Sequence, residues 1–291
     1  MWYGAHVSIA GGIDQGIRRG EDLGCTAIQT FGGSPRTINF TPIAPTVVAH
    51  YQQLKTKSRI KVHILHGVYL INLASEKAEY LQACVANLIC YQKLAYDLGA
   101  LGTVFHVGSH KGLGFEAVAD QVGAALTQVI KASPPDVDLI LENTAGQNGA
   151  IGAAYSELAS LRDRVERQGA AGHRLAIGLD TQHAFGAGYD LRKMAEVERL
   201  VNDIDQTWGL EALKVIHVND SQVGCGTKKD RHANLGQGEI GLASLGQTIN
   251  HPKLQSKPLI LEVPGDDHSG PRREDVANLK QLLSNKDENM E

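Results

Sequence analysis

Nine side chains with nitrogen or oxygen donors recur along this 291-residue chain: His66, His106, Glu142, Asp180, His183, His217 and Glu262 at or just past the ends of short apolar segments, and Asp230 and His232 in the loop that follows the seventh such segment. Taken singly, each has an ordinary structural explanation. A strand-end histidine such as His106 is commonly a hydrogen-bonded core residue, Asp180 reads equally as the N-cap of a following helix, and Glu142 or Glu262 can pair with a basic loop residue. Taken together they do not, because five imidazoles and four carboxylates gathered without a partner would leave like charges buried and uncompensated. A divalent-metal centre resolves the conflict. Nitrogen and oxygen donors without thiolate suit zinc, manganese or iron. At three or four protein ligands per ion, with one bridging carboxylate, nine donors supply two or three ions.

The elements that must gather these donors follow a regular beat. Eight apolar, β-branched segments are each followed by a longer helix-like stretch: YGAHVS (3–8), TAIQTF (26–31), KVHILH (61–66), TVFHVG (103–108), DLILEN (138–143), LAIGLD (175–180), LKVIHV (213–218) and PLILEV (258–263). Amphipathic runs such as SEKAEYLQACVANLICYQKLAYDLG and YSELASLRDRVERQG end at glycine, as helices commonly do. Alternation of this kind implies parallel pairing, and eight repeats at this length predict an α/β fold, a (βα)8 TIM barrel, as one domain over 1–291 with a fraying polar end from about 284. Active sites of such barrels form at the C-terminal ends of the strands. Residues two apart on a strand share a face, so Val104, Ile140, Val215 and Ile260 would line the interior, and His106, Glu142, His217 and Glu262 would project toward the axis above them. Phe105, Leu141, Ile216 and Leu261 would then face the helices.

Other histidines do not share that status. His63 lies three before His66, on the opposite face, and His50, His173, His251 and His268 fall in helices or loops, where solvent exposure is expected. His6 can face the site from the first segment and His110 can hydrogen-bond a ligand, but neither is counted as a ligand.

Composition sets the outer bounds. A hydrophobic content of 42% can build a sizeable core, and the first residues lack the basic stretch and apolar run of a secretory signal. No segment approaches the roughly 20 apolar residues of a membrane span. Cys25, Cys84, Cys90 and Cys225 form no CxxC pair and read as ordinary thiols of a reducing compartment. A soluble, cytoplasmic protein is expected. The formal charge of −4 argues mildly against a nucleic-acid partner, but three divalent cations at one rim would outweigh it and concentrate positive charge there.

The stretches GAHVSIAGG, HGVYLINL, FHVGSHKGLG, LENTAGQ, GLDTQHAFGAGYDL, HVNDS and DRHANLGQGEIG, in this order and over essentially the whole chain, resemble the endonuclease IV family of apurinic/apyrimidinic endonucleases. The resemblance implies a xylose-isomerase-like barrel and a three-zinc DNA-repair enzyme that cleaves the phosphodiester bond 5′ to an abasic site in duplex DNA, leaving a 3′-hydroxyl. It implies a first ion on His66, His106 and Glu142, a second on Glu142, Asp180, His217 and Glu262, and a third on His183, Asp230 and His232, with Glu142 as the bridge. A water shared by two cations would be the nucleophile, the ions neutralising the phosphate and leaving oxygen. Glu142 and Glu262 are the carboxylates assigned to catalysis, Glu262 as a ligand that also suits orienting or deprotonating that water.

The same resemblance implies DNA contacts. The loop FGGSPRTINF matches the element that enters the duplex at the lesion, with Arg36 on its arginine, and Tyr69 matches the tyrosine that packs at the abasic gap. Lys228, Lys229 and Arg231 flank two expected ligands, where phosphates can be met; with Asp230 and His232 turned to metal, Arg231 is left to face DNA or a neighbouring carboxylate. The chain departs from the family at Gly32, Gly33 and Ser34, at Ile38, at Gln182 where cysteine is frequent, and in EVPG. These changes bear on lesion affinity, not on the ligands. A sugar isomerase or epimerase on the same barrel is the main rival; with one or two metals it would have no use for His183, Asp230 and His232. A monomer is expected, since the family's DNA groove needs no second chain.

Overall fold

The computed structural model describes residues 1–284; the polar end expected to fray lies outside them apart from its first residue. Eight strands close into a parallel barrel: β1 (Tyr3–His6), β2 (Ala27–Phe31), β3 (Val62–His66), β4 (Gly102–Phe105), β5 (Asp138–Glu142), β6 (Leu175–Asp180), β7 (Leu213–His217) and β10 (Leu259–Leu261), the last pairing with both β7 and β1. Each falls within an expected segment, except that β4 starts one residue early. Around them run α1 (Asp14–Leu23), α2 (Pro45–Lys57), α3 (Ala78–Asp97), α4 (Phe115–Ala132), α5 (Tyr155–Arg167), α6 (Thr181–Ala187), α7 (Met194–Trp208), α8 (Leu242–Ile249) and α9 (Arg273–Ser284). The loop after β7 carries a feature that its sequence did not announce, a two-residue antiparallel ladder of β8 (Asp220–Ser221) and β9 (His232–Ala233).

The two faces of the strands divide as the period-two pattern requires. Ala27, Ile64, Val104, Ile140, Ala176, Val215 and Ile260 form a separate apolar cluster inside the barrel. Phe105, Leu141, Ile216 and Leu261 belong to the larger core between strands and helices. Burying one such side chain contributes roughly 1.5–3 kcal/mol, and in a close-packed interior the layers fix the height of everything above them. On β6 the inward positions taper to Ala176 and then Gly178, where an added Cβ would come within 3.3 Å of Val104 and Val215. Asp180 therefore begins where packing ends.

His63 is buried on the outer face, its ring nitrogens 2.9 Å from Thr30 Oγ1 and 2.7 Å from the Tyr51 hydroxyl. Burial pushes its pKa down to about 3, so it serves as a neutral core residue. His251 corrects an expectation: it is buried just beyond the end of α8, and its Nε2 lies 3.2 Å from Glu198 Oε1 on α7.

Candidate metal centre

The barrel strands deliver His66, Glu142, Asp180 and His217 at their final positions, His106 and Glu262 one residue past them, and His183 from the first turn of α6. His66, Glu142, Asp180, His183 and His217 are almost completely buried. Glu142 is the hub. Its Oε2 lies 2.9 Å from His106 Nε2 and 3.3 Å from His66 Nε2, and its Oε1 lies 2.9 Å from His217 Nδ1 and 3.4 Å from His183 Nδ1. Glu262 Oε2 stands 3.2 Å from the same His217 Nδ1.

Three groups have donor atoms all within 4.8 Å of one another: His66, His106 and Glu142; Glu142, Asp180, His217 and Glu262; and Asp180, His183 and His232. The first two are the expected sets. In the third, Asp180 takes the place expected for Asp230. Asp230 instead stands across both imidazoles, with Oδ2 3.2 Å from His183 Nε2 and Oδ1 3.3 Å from His232 Nε2. Asp180 combines its two readings: Oδ1 caps α6 by accepting from His183 N–H at 2.9 Å, while Oδ2 lies 3.7 Å from His232 Nε2.

Electrostatics couple the donors tightly. Burial opposes ionisation of Glu142, yet His106 and His217 outweigh it and hold the carboxyl well below the usual range; Glu262 is lowered in the same way, chiefly by His217. Burial opposes protonation of His217 and His183, yet Glu262 and Glu142 around the first and Asp180 and Asp230 around the second raise both well above the ordinary imidazole value. Both ring nitrogens of His183 and Nε2 of His232 are buried with carboxylate oxygens 3.2–3.4 Å away, none of them in hydrogen-bonding geometry. Orphaned imidazole nitrogens among ionised carboxylates are the donor set of a divalent cation, and no cysteine belongs to these groups.

Outer contacts aim the donors. His66 Nδ1 lies 2.7 Å from the Gly67 carbonyl and His232 Nδ1 3.2 Å from the Glu262 carbonyl, freeing each Nε2 for the centre. Asn219 donates to Asp180 Oδ2 at 2.6 Å and accepts the Glu262 N–H at 2.8 Å, and Asn143 accepts the Asp180 N–H at 2.6 Å. The buried Asp220 carboxylate accepts backbone N–H groups of Ser221, Gly236, Gly238, Ile240 and Gly241 at 2.8–3.3 Å, pinning the loop that carries Asp230 and His232. Gly238 has to be glycine there, since a Cβ would lie 2.6 Å from Asp220 Oδ1 and 2.4 Å from the Ser221 carbonyl. Gln182 ties the same loop down through a 2.9 Å bond to the Lys229 carbonyl.

Beside the centre opens a cavity of about 860 Å³, bordered by His6, Phe31, Arg36, Tyr69 and Glu262. Tyr69 is 63% exposed, with its ring edge-on to Phe31 at 5.4 Å and tilted against His66 at 5.5 Å, so it rises from the rim. Arg36, Lys228, Lys229 and Arg231 are exposed. Arg231 Nη1 donates to the Asp230 carbonyl at 2.6 Å, turning to the main chain rather than to a carboxylate. His6 does face the site, its Nδ1 3.3 Å from Glu262 Oε1. His110 does not reach the ligands, because its Nδ1 accepts the N–H groups of Gly112 and Gly114 in its own loop.

Sequence reasoning missed Gln29, fully buried at the mouth and in contact with His217, Glu262 and His6. The signal was present: Gln29 follows the inward Ala27 by two on β2, the rule that found the ligands on other strands.

Comparison with known proteins bears on this arrangement. A family described as xylose isomerase-like TIM barrel matches residues 17–284. A protein named "Probable endonuclease 4" from Halothermothrix orenii is 37% identical over 264 residues, covering 91% of this chain and 94% of that one. Its namesake from Methanoculleus marisnigri is 36% identical over 280 residues, covering 96% of each. The crystal structure of endonuclease IV from Thermus thermophilus superposes with a TM-score of 0.84 at 32% identity, covering 99% of this chain and all of the other. A D-tagatose 3-epimerase-like protein superposes with a TM-score of 0.75 at 16% identity, a likeness of fold alone.

Proposed function

Because the chain belongs to the endonuclease IV family of apurinic/apyrimidinic endonucleases, enzymes of DNA repair, we propose that it hydrolyses the phosphodiester bond 5′ to an abasic site in duplex DNA, with three zinc ions, leaving a 3′-hydroxyl and a 5′-deoxyribose phosphate. The observation that carries this reading is the third donor group, His183 and His232 with Asp180 and Asp230, set against the two that share Glu142. A one- or two-metal sugar isomerase would have no use for it.

In this reading His66, His106 and Glu142 hold the first ion, Glu142, Asp180, His217 and Glu262 the second, and His183, Asp230 and His232 the third, with Asp180 close enough to serve the third as well. When bound, the ions supply Lewis-acid stabilisation of the phosphate and acidify a water. The protein supplies the rest. Glu262, at the edge of the cavity and held ionised, is placed to orient the attacking water. Glu142 keeps two donor groups in register through its two oxygens. Arg36 and Tyr69, both lining the cavity, offer a guanidinium and a ring to the space left by a missing base, replacing stacking worth roughly 1–3 kcal/mol. Lys228, Lys229 and Arg231 meet backbone phosphates around the cut, and the positive charge of the ions offsets the chain's formal −4. The enzyme works as a monomer on cytoplasmic DNA; among the described residues no helix is long and apolar enough to cross a membrane.

The test is incision of a duplex carrying one abasic analogue, measured together with bound metal. Strand cleavage 5′ to the analogue with about three ions per chain supports the reading. One ion with turnover of a ketose or aldose replaces it with the sugar-enzyme alternative, and tight binding without cleavage replaces it with a damage-binding protein.

A further inference from the structure

The imidazoles of the centre must present one particular nitrogen to metal, and two of them secure this through the main chain. The carbonyls of Gly67 and Glu262 face Nδ1 of His66 and His232. His217 differs: the atom opposite its Nε2 is the side-chain oxygen of Gln29, at 2.9 Å. The same amide's nitrogen lies 2.5 Å from Glu262 Oε1 and 3.0 Å from His6 Nδ1.

These contacts fix the amide. An ionised carboxylate only accepts hydrogen bonds, so the NH2 end of Gln29 must face Glu262, and the carbonyl end must then face His217. A carbonyl oxygen accepts, so His217 Nε2 must carry hydrogen. With metal in place of the second ring proton, the lone pair is left on Nδ1, the atom that faces Glu142 Oε1 at 2.9 Å and Glu262 Oε2 at 3.2 Å. The bond to Glu262 Oε1 also turns the other carboxylate oxygen toward the same point. One amide thus aims two ligands of one donor group, and burial within the barrel mouth keeps water from substituting for it.

We propose that Gln29 is a positioning residue: it holds His217 as the Nε2–H tautomer and sets the rotation of the Glu262 carboxylate, presetting the donor group that His217 and Glu262 share with Glu142 and Asp180. This rests on the metal-centre reading above. Outer hydrogen bonds of this kind change metal affinity by about 10–100-fold when removed.

The test uses the full-length zinc-loaded protein with Gln29→Leu, which removes both contacts, and Gln29→Glu, which keeps an acceptor for His217 but opposes Glu262. Chelator competition on Gln29→Leu is expected to find one ion weakened about 10–100-fold with the others unchanged. A slowly exchanging His217 Nε2–H signal is expected by NMR in the parent and should vanish in Gln29→Leu. The kcat on an abasic duplex should fall in step, with KM within about twofold. Gln29→Glu should keep the Nε2–H signal while still weakening the ion, and it decides the matter if Gln29→Leu does not fold. Parental affinity for every ion in the variants, or a protected Nε2–H in Gln29→Leu, overturns the proposal alone. A parent protein that binds no ion at His217 overturns it together with the reading on which it rests.

Discussion

Glu142→Gln is the smallest change that strikes two donor groups at once. The carboxylate is fully buried and touches four imidazoles, two at 2.9 Å and two at 3.3 and 3.4 Å. An amide of the same shape has one accepting end. If its oxygen faces His217 and His183, its NH2 points at His66 and His106, and the reverse orientation exchanges the loss. Either way a hydrogen-bond donor occupies a place where metal needs a lone pair, and one negative charge leaves a buried cluster. Breaking one side of a buried charge arrangement costs about 3–5 kcal/mol. If about 4 kcal/mol of this is lost from the transition state, kcat falls about 10³-fold, at tenfold per 1.36 kcal/mol. Single-turnover incision of an abasic duplex gives the rate, and plasma mass spectrometry gives the metal content, which should fall by at least one ion per chain. A Glu142→Gln protein that keeps the parental metal content and cuts within tenfold of the parental rate would refute the bridging role.

Other predictions follow from the same geometry. His183 and His217 have pKa values raised well above 6.5 in the metal-free protein, so metal binding near pH 7 must expel protons, and apparent zinc affinity should weaken as pH falls; calorimetry in buffers of different ionisation enthalpy counts those protons, and none released would contradict the electrostatics. By the sign of the same shifts, these two histidines stabilise the chelator-treated fold fully below pH 6.5 and lose that contribution as pH rises through their raised values, a trend that thermal melts across pH can follow. Replacing Lys228 and Lys229 together with alanine should lessen the slope of log binding constant against log salt by nearly 2, at about 0.9 per phosphate contact, with kcat at saturation preserved; an unchanged slope removes them from the DNA surface. Asp220→Asn weakens the acceptor of five backbone N–H groups, so one ion of the set should be lost and incision should drop at least tenfold while the barrel's melting temperature stays within a few degrees.

The barrel was legible because its physics is periodic. Apolar segments at a steady interval gave the strands, and alternation within them correctly assigned Val104, Ile140, Val215 and Ile260 to the interior and Phe105, Leu141, Ile216 and Leu261 to the helices. The same alternation brought His106, Glu142, His217 and Glu262 to one rim. What stayed hidden are the neutral partners. Alternation on β2 places Gln29 at the mouth, but its role, like those of Asn143 and Asn219, shows only when residues up to 233 positions away in the chain arrive beside it. Asp220 was quoted within a motif, but its five main-chain bonds depend on a loop path that no spacing reveals. The third donor group was legible in membership but not in arrangement: one turn of α6 brings His183 back over Asp180, so a cap is also a donor, and Asp230 spans two imidazoles. His251 lies outside the helices, but the expected exposure failed because packing buries it against Glu198.

The central claim is that these donors gather around three cations at one end of the barrel. Anomalous diffraction at the zinc edge, from crystals of protein purified without chelator, tests it most directly. Three peaks are expected at the strand C-terminal mouth, one beside His66 and His106, one beside His217 and Glu262, and one beside His183 and His232. A single peak, or peaks away from Glu142, would contradict it.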